Sequence, residues 1–393
     1  MNSTFKNLST EKPHEKPRPV VMQILPSLVT GGVERGTIDV TQAITDAGWK
    51  AIVVSNGGPM THEITRAGGL HIDLPIGAKN PLTAYLNVNR LVKLIREHQV
   101  DILHARSRLP AWSGLVAAGR TQIKFITTFH GNYSARNSIK RYYNSVMARG
   151  DRVIAISEFI RKQICEKYGA DTDNIRVIHR SADIDLFDPA AVSPERVIQL
   201  AEAWRIPDDA KIVMLPGRLT RWKGHLVLLE ALGRLQEYEN LRCIIVGGHQ
   251  GKRRYVRELH KTINRFGLEQ IVQFTGNCRD MPAAFMLADV VVSASTEAEA
   301  FGRIIVEAQA MGRPIIAADH GAAREIITHG ETGWLVTPNN ANELADVLHD
   351  ALLIDSQARN LIAKRAIENV RQNFTKDLLR QRTMAVYQEV LMD

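Results

Sequence analysis

The chain has 393 residues, 45% of them hydrophobic and 23% charged, with a formal net charge of +8. That balance belongs to a globular protein with room for two domains of ordinary size, and it excludes general disorder. No apolar run reaches the roughly 18 residues needed to cross a bilayer, and a basic surface favours partners that carry phosphate.

Residues 1–18 read as a mobile tail, with Glu11, Lys12, His14, Glu15 and Lys16 set among prolines before Val20. An export signal would place an apolar core after a basic start, and this stretch has none, so a cytoplasmic location is expected. From Val20 onward short apolar runs alternate with amphipathic stretches, the pattern of a parallel α/β sheet. Strands are predicted at 20–25, 51–55, 102–104, 124–128, 152–156 and 176–179, with helices near 35–47, 86–97, 111–119 and 158–168. The pattern loosens over 188–210, where Pro189, Pro194 and Pro207 fall, and restarts at Lys211. Later strands are predicted at 211–217, 242–247, 271–275, 290–294, 314–317 and 333–336, and an amphipathic helix over 374–391 closes the chain. The expected fold class is α/β: two Rossmann-like, doubly wound domains, residues 19–195 and 196–373, facing a central cleft. Each would carry its ligand loops at the carboxyl ends of its strands.

The first such loop, Leu28-Val-Thr-Gly31-Gly32-Val-Glu-Arg-Gly36, follows the first strand. Gly31 and Gly32 lack side chains, so this backbone can approach a phosphate, although a plain strand-to-helix turn would read the same way. It is not the G-x-G-x-x-G fingerprint, and the second strand runs into Ser55-Asn56-Gly57 with no acid for a ribose. A nicotinamide dehydrogenase is therefore disfavoured. His104 and His130 each sit at a strand end, and Arg106 and Arg108 beside the first would suit a ligand bearing phosphate or other acidic groups. Arg136, Lys140, Arg141, Arg149 and Arg152 cluster with Tyr133, Tyr142 and Tyr143. This is either a membrane-surface stripe or a solvated helix face.

In the second half, Pro216-Gly217-Arg218-Leu-Thr-Arg-Trp-Lys223-Gly224 pairs the planar fork of an arginine with the point charge of a lysine, a combination suited to a diphosphate. The most informative stretch is Glu299-Ala-Phe-Gly-Arg-Ile-Ile-Val-Glu307. A buried strand is predicted before it and a helix after it, stopping at Gly312. The order strand, loop, helix start forms an anion site from unpaired backbone N–H groups. Glu299 falls in the loop and Glu307 in the helix. Eight wholly helical steps would span roughly 12 Å, so a close carboxylate dyad is not expected, and nothing requires the 5–10 Å acid pair of a glycosidase. Separated acids flanking a phosphate site suit a ligand with hydroxyls at both ends and phosphates between, such as a nucleotide-sugar.

Other features point away from metals and nucleic acid. Cys165, Cys243 and Cys278 form no paired motif and read as buried thiols in a reducing cytosol. The thirteen histidines include no helical H-x-x-x-H pair. Asp183-Ile-Asp185 has the look of a D-x-D metal motif but sits in what reads as a turn. No zinc-finger spacing or aromatic RNA-binding signature occurs.

Glu299 to Glu307 matches the E-x7-E motif of retaining glycosyltransferases, and Glu-Ala-Phe-Gly through Glu-Ala-x-Ala-x-Gly resembles family 4 in particular. Gly31-Gly32-x-Glu34 is similar to that family's first loop, Arg218 through Lys223-Gly224 to its G-R-x(3–4)-K-G element, and Thr128-Phe129-His130-Gly131 to its T-x-H-G element. Ile178 to Phe187 resembles its N-G-V-D…F turn, with Arg180 and Ser181 in place of the usual Asn and Gly.

The resemblance covers Val20 to Leu391 and implies the GT-B fold, with a closing helix (374–393) that crosses back to the first domain. It implies a retaining, metal-independent transferase that takes a hexose from a UDP-, GDP- or ADP-sugar and needs no cofactor. Glu307 would then hold the ribose hydroxyls, Glu299 the hexose, and Arg218 and Lys223 the diphosphate under the closing Gly31–Gly32 loop. Amides around Phe301, Gly302 and Arg303 would face the sugar or diphosphate, Gly276 and Asn277 the base, and His130 the transferred sugar. His104, Arg106 and Arg108 would line the acceptor side. The pattern looks most like bacterial lipopolysaccharide core and envelope enzymes, whose acceptors are anionic glycans or glycolipids at the inner-membrane surface. A sugar-nucleotide epimerase or hydrolase of the same fold, and a silent sugar-nucleotide or glycan-binding protein, are the alternatives.

Overall fold

The computed structural model describes residues 18–29, 31–133, 137–235, 238 and 240–393. The expected tail therefore lies, apart from Arg18, outside the described residues, as does Arg136. The first sheet holds β1 (Val20–Ile24), β2 (Lys50–Ser55), β3 (Leu70–Asp73), β4 (Ile102–Ala105), β5 (Lys124–Phe129), β6 (Arg152–Ala155) and β7 (Ile175–Val177), in the order β3-β2-β1-β4-β5-β6-β7. The second holds β8 (Lys211–Pro216), β9 (Leu241–Val246), β10 (Val272–Gly276), β11 (Val290–Ser293), β12 (Ile315–Ala318) and β13 (Trp334–Val336), in the order β10-β9-β8-β11-β12-β13. The pairings of β1 with β2 and β4, of β2 with β3, of β6 with β7, and those throughout the second sheet are parallel.

Both sheets reverse direction of winding once, between β1 and β4 and between β8 and β11. Such reversals open a crevice at the carboxyl ends of the two diverging strands. β1, β4 and β12 are buried along their whole length, as parallel strands covered by helices on both faces must be.

The predicted strands all form, within a residue or two at their ends. β3 escapes the hydrophobic pattern because Leu-His-Ile-Asp is a short, partly exposed edge strand. The stretch read as loosened holds a helix, Pro194–Ala203. Its proline occupies the first turn, where no intrahelical N–H is needed, so it starts the helix rather than breaking it. Pro81 does the same for Pro81–Glu97, where Asn80 accepts the Leu82 N–H. Helices Thr61–Arg66 and Ser138–Ser145 also lie outside the predicted set. Of the cysteines only Cys243 is buried, its thiol pushed up to about 12 by burial, while Cys165 and Cys278 are half-buried.

By packing, the chain divides into Met1–Ile126 and Thr127–Asp393. That division falls within β5, whereas the sequence pattern places it near 190–210. Bonds between the β6–β7 region and later residues account for the difference. The closing helix Lys376–Met392, capped by Thr375, carries Glu389, which accepts from Arg152 Nε at 2.7 Å and Arg176 Nε at 3.0 Å. Ser157 Oγ donates to the Ala300 carbonyl at 2.7 Å. Among the described residues no helix is long and apolar enough to cross a membrane.

Candidate functional site

Two loops meet at the crevice of the second sheet. The loop after β8 runs through Gly217 and a 3-10 turn, Arg221–Lys223, into Gly224. Gly224 has φ +74, and a Cβ there would stand 1.7 Å from the Ala294 carbonyl oxygen just past β11. Only a residue without a side chain lets the loops approach this closely. Thr296 N–H then donates to the Trp222 carbonyl at 2.7 Å, tying the second loop to the first. Across this junction Lys223 Nζ reaches Glu299 Oε1 at 2.6 Å, the two side chains being 12% and 18% exposed. Ser295 Oγ donates to the same carboxylate oxygen. The Lys223 ammonium also lies 4.5 Å from the centre of the Trp222 ring. Arg218 stands exposed at the head of the loop. The predicted diphosphate lysine and hexose acid are thus brought into contact.

The backbone of Glu299 is held from the other side by the loop after β12. Ala322 N–H donates to the Glu299 carbonyl at 3.1 Å. Gly321, at φ +62, lies so close that a Cβ would sit 2.4 Å from that oxygen. Gly302 then caps the helix Arg303–Ala310. As predicted, Glu299 lies in the loop and Glu307 inside the helix. Glu307 is buried, and burial raises its carboxyl above the ordinary range, against the pull of Arg303 and Lys223. Arg303 Nε is 3.0 Å from Glu307 Oε1. The expectation at Phe301 concerned the amides alone, and its ring packs inward against His179 and Phe374, with centroids 6.1 and 5.8 Å away. Only its main chain is left for a ligand. Gly276 ends β10, and Asn277 follows beside Gly248, where a Cβ would lie 2.8 Å from Asn277 Oδ1.

His130 follows β5, and its Nδ1 accepts a hydrogen bond from Arg180 Nη2 at 2.7 Å. Arg180 is one of the two positions that break the N-G-V-D resemblance. Next to it, His179 Nε2 donates to Glu325 Oε2 at 2.9 Å. Glu325 also accepts the N–H groups of Glu158 and Phe159, at 2.8 and 2.7 Å, at the start of the helix Glu158–Tyr168. Ser295, Arg180, His179 and Glu325 carry no motif of their own in the sequence; only the departure of Arg180 from the resembled pattern marked one of them.

In the unit Met1–Ile126, Gly31 and Gly32 lead into the helix Gly32–Asp46, with the Arg35 N–H on the Gly31 carbonyl at 3.1 Å. His104 lies within β4 with no exposed surface, and burial, then Arg106, holds its imidazole well below the ordinary range. The expectation that it lines an acceptor surface is therefore corrected, because the sheet covers it. Arg106 is also buried, its Nε donating to Gln23 Oε1 at 2.7 Å, while Arg108 opens the helix Arg108–Thr121 half-buried. Asp183 accepts the Leu186 N–H and pairs with Lys376, as a turn residue would. No group of three or more metal-binding side chains is placed to hold an ion among the described residues.

The family model described as "Glycosyl transferases group 1" matches residues 198–369, and that described as "Glycosyltransferase Family 4" matches residues 30–186. A crystal structure of a glycosyltransferase from Rickettsia africae ESF-5 is 37% identical, with TM-score 0.88, over 96% of this chain and 99% of that one. The Anabaena protein HepE, solved in complex with UDP and glucose, is 26% identical with TM-score 0.82, over 95% of this chain and 100% of its own. A D-inositol 3-phosphate glycosyltransferase of Xylanimonas cellulosilytica is 30% identical over 285 residues, which span 67% of this chain and 66% of that relative. The two doubly wound sheets are those of the GT-B glycosyltransferases.

Proposed function

This chain belongs to the family 4 glycosyltransferases of GT-B fold, and on that premise we propose that it moves a hexose from a nucleoside-diphosphate sugar to an anionic glycan or glycolipid, with retention and without a metal. The observation that carries this reading is the contact of Lys223 with Glu299 beside the buried Glu307. A cation for the departing diphosphate and an acid for the sugar hydroxyls stand side by side, with a second acid on the adjoining helix for the ribose. Arg218 adds a second cation on the same loop. As the bond from the anomeric carbon to the diphosphate oxygen breaks, Arg218 and Lys223 stabilise the charge that gathers there, the major catalytic contribution in a site of this kind. The acceptor oxygen forms the new bond on the same face, and its proton passes to the leaving phosphate. His130 meets the transferred sugar. The UDP and UDP-glucose complexes of the Anabaena relative make UDP-glucose the first donor to test.

Arg108, half-buried at the head of the helix Arg108–Thr121, supports an anionic acceptor; the buried Arg106 is held by Gln23 instead. The helix Ser138–Ser145 exposes Ile139 (79%) and Tyr142 (60%) beside the exposed Lys140 and Arg141. Apolar and basic side chains together support peripheral contact with the cytoplasmic face of an anionic membrane, where a glycolipid acceptor of envelope or lipopolysaccharide synthesis would lie.

The test is thermal stability of the wild type and Glu307→Ala against UDP-glucose, UDP-galactose, UDP-GlcNAc, GDP-mannose and ADP-heptose. A donor well above its dissociation constant should stabilise the fold by a few kcal/mol. One nucleotide class should shift the wild type and not the variant, and NMR of the product should show the donor's anomeric configuration, unaffected by EDTA. Free sugar released without any acceptor would favour the epimerase or hydrolase. Binding without turnover would favour a silent binding protein, and no shift at all would end the nucleotide-sugar reading.

A further inference from the structure

The segment from Ile178 to Ala182 is anchored on both sides of Arg180. Ile178 N–H donates to the Ala155 carbonyl at 2.9 Å, and Ala182 N–H donates to the Phe374 carbonyl at 3.0 Å. His179 is bound to Glu325 and packs edge-on against Phe374, ring centroids 5.5 Å apart. A residue between such anchors has little backbone freedom left, so its side chain is aimed by the fold. Arg180 is aimed at His130, with 2.7 Å between Nη2 and Nδ1.

We infer that Arg180 is a positioning residue that fixes His130 in the tautomer carrying its proton on Nε2, so that the ring presents a hydrogen-bond donor to the transferred sugar. This rests on the reading of His130 as the residue that meets the hexose. A guanidinium has five N–H donors, no acceptor, and does not lose its charge in proteins. The nitrogen it faces must therefore offer a lone pair. With the lone pair on Nδ1, a neutral imidazole carries its hydrogen on Nε2; a doubly protonated ring would set one N–H against another. The tautomer is decided by what the second ring nitrogen meets.

The sequence gives this contact its meaning. The resembled motif has Asn where this chain has Arg180. An Asn amide both donates and accepts, so it can satisfy either tautomer, whereas Arg can satisfy only one. For a hexose hydroxyl held by the ring, the difference is between an N–H that binds the oxygen and a lone pair that needs the hydroxyl proton. Arg180 removes the second possibility before the substrate arrives, which is preorganisation of the kind that sets the reacting geometry.

The test is a long-range ¹H–¹⁵N correlation spectrum of the full chain labelled at histidine, without ligand, with the His130 signals assigned from their loss in His130→Asn. The wild type should show Nδ1 unprotonated and Nε2 protonated. Arg180→Ala should mix the tautomers, and Arg180→Lys, which can still only donate, should restore the wild-type pattern. In a transfer assay Arg180→Ala should lose roughly ten- to a hundredfold in kcat with little change in donor KM, and Arg180→Lys should recover most of it. A wild-type ring protonated on Nδ1, or a tautomer unchanged in Arg180→Ala, overturns the inference, as does Arg180→Ala with kcat intact. If the wild type transferred no sugar, the proposed function would fail on its own, and the tautomer would still decide whether Arg180 positions His130.

Discussion

Glu299 Oε1 receives both Lys223 Nζ, at 2.6 Å, and the Ser295 hydroxyl, so one carboxylate oxygen joins the loops after β8 and β11. The ammonium is thereby held where the diphosphate is expected before any donor binds. Charge placed in advance needs no reorganisation during reaction. Lys223→Ala should lower kcat by roughly 10²–10³, and Ser295→Ala by less, since it leaves the cation in place. Steady-state kinetics at saturating donor checks both, and equal losses would show that the cation is not the dominant partner.

Glu307 sits against a different balance. Burial holds its folded pKa above the unfolded value of 4.5. The protonated form is thus favoured by the fold, and stability is lost as pH rises through the folded pKa. The ionised form of Glu307 is thus a burden on the fold, and its Arg303 partner is too exposed to offset it fully. Glu307→Gln should raise the melting temperature by about 1–3 °C while abolishing the shift produced by the donor. A fall in melting temperature would contradict this account of the site.

Gly224 and Gly251 separate strain from collision. Both have positive φ, +74 and +79, but a Cβ on Gly251 meets nothing within 4 Å while one on Gly224 strikes the Ala294 carbonyl. Gly251→Ala should therefore cost about 1 kcal/mol, for conformation alone, and Gly224→Ala about 2–3 kcal/mol or more. Urea midpoints at constant m-value read the difference, and equal costs would mean that the loops can part freely.

Glu325 and Glu389 predict the response to acid. Burial pushes the Glu325 carboxyl up, but hydrogen bonds from His179, Phe159 and Glu158 together hold it below 4.5. Glu389 is held low first by Arg176, then, against partial burial, by Arg152. Groups with lowered folded pKa stabilise the fold fully above the unfolded value, and that stability is lost as pH falls through the folded one. Stability should fall below pH 4.5, and the fall should flatten in Glu325→Gln and Glu389→Gln, measured by urea unfolding across pH 3–6. Unchanged slopes in both variants would remove these carboxylates as the cause.

What the sequence could reveal was set by range along the chain. A strand such as β12, Ile-Ile-Ala-Ala, announces itself because burial on both faces demands an unbroken apolar run. The placement of Glu299 in a loop, of Glu307 inside the helix that follows, and of Arg218 and Lys223 after a strand was legible because local order alone sets it. His104 misled for the same reason: a histidine near a strand end looks available, and only the surrounding sheet shows that it is covered. Glu325 meets His179 across 146 positions, and Arg180 meets His130 across 50. No local periodicity encodes such meetings. The prolines 189, 194 and 207 were read as breakers together, yet Pro194 starts a helix, since the effect of proline depends on which turn it enters.

The bond from His179 to Glu325 also bears on how such chains can be recombined. A chimera joined near residue 200, the seam suggested by the two sheets, would inherit His179 from one parent and Glu325 from the other. If the second parent lacked an acid at that position, the imidazole and the two amide groups of Glu158 and Phe159 would lose their common acceptor together. Exchanging donor specificity between relatives by swapping halves therefore requires residue 325 to be matched to the half it did not come from.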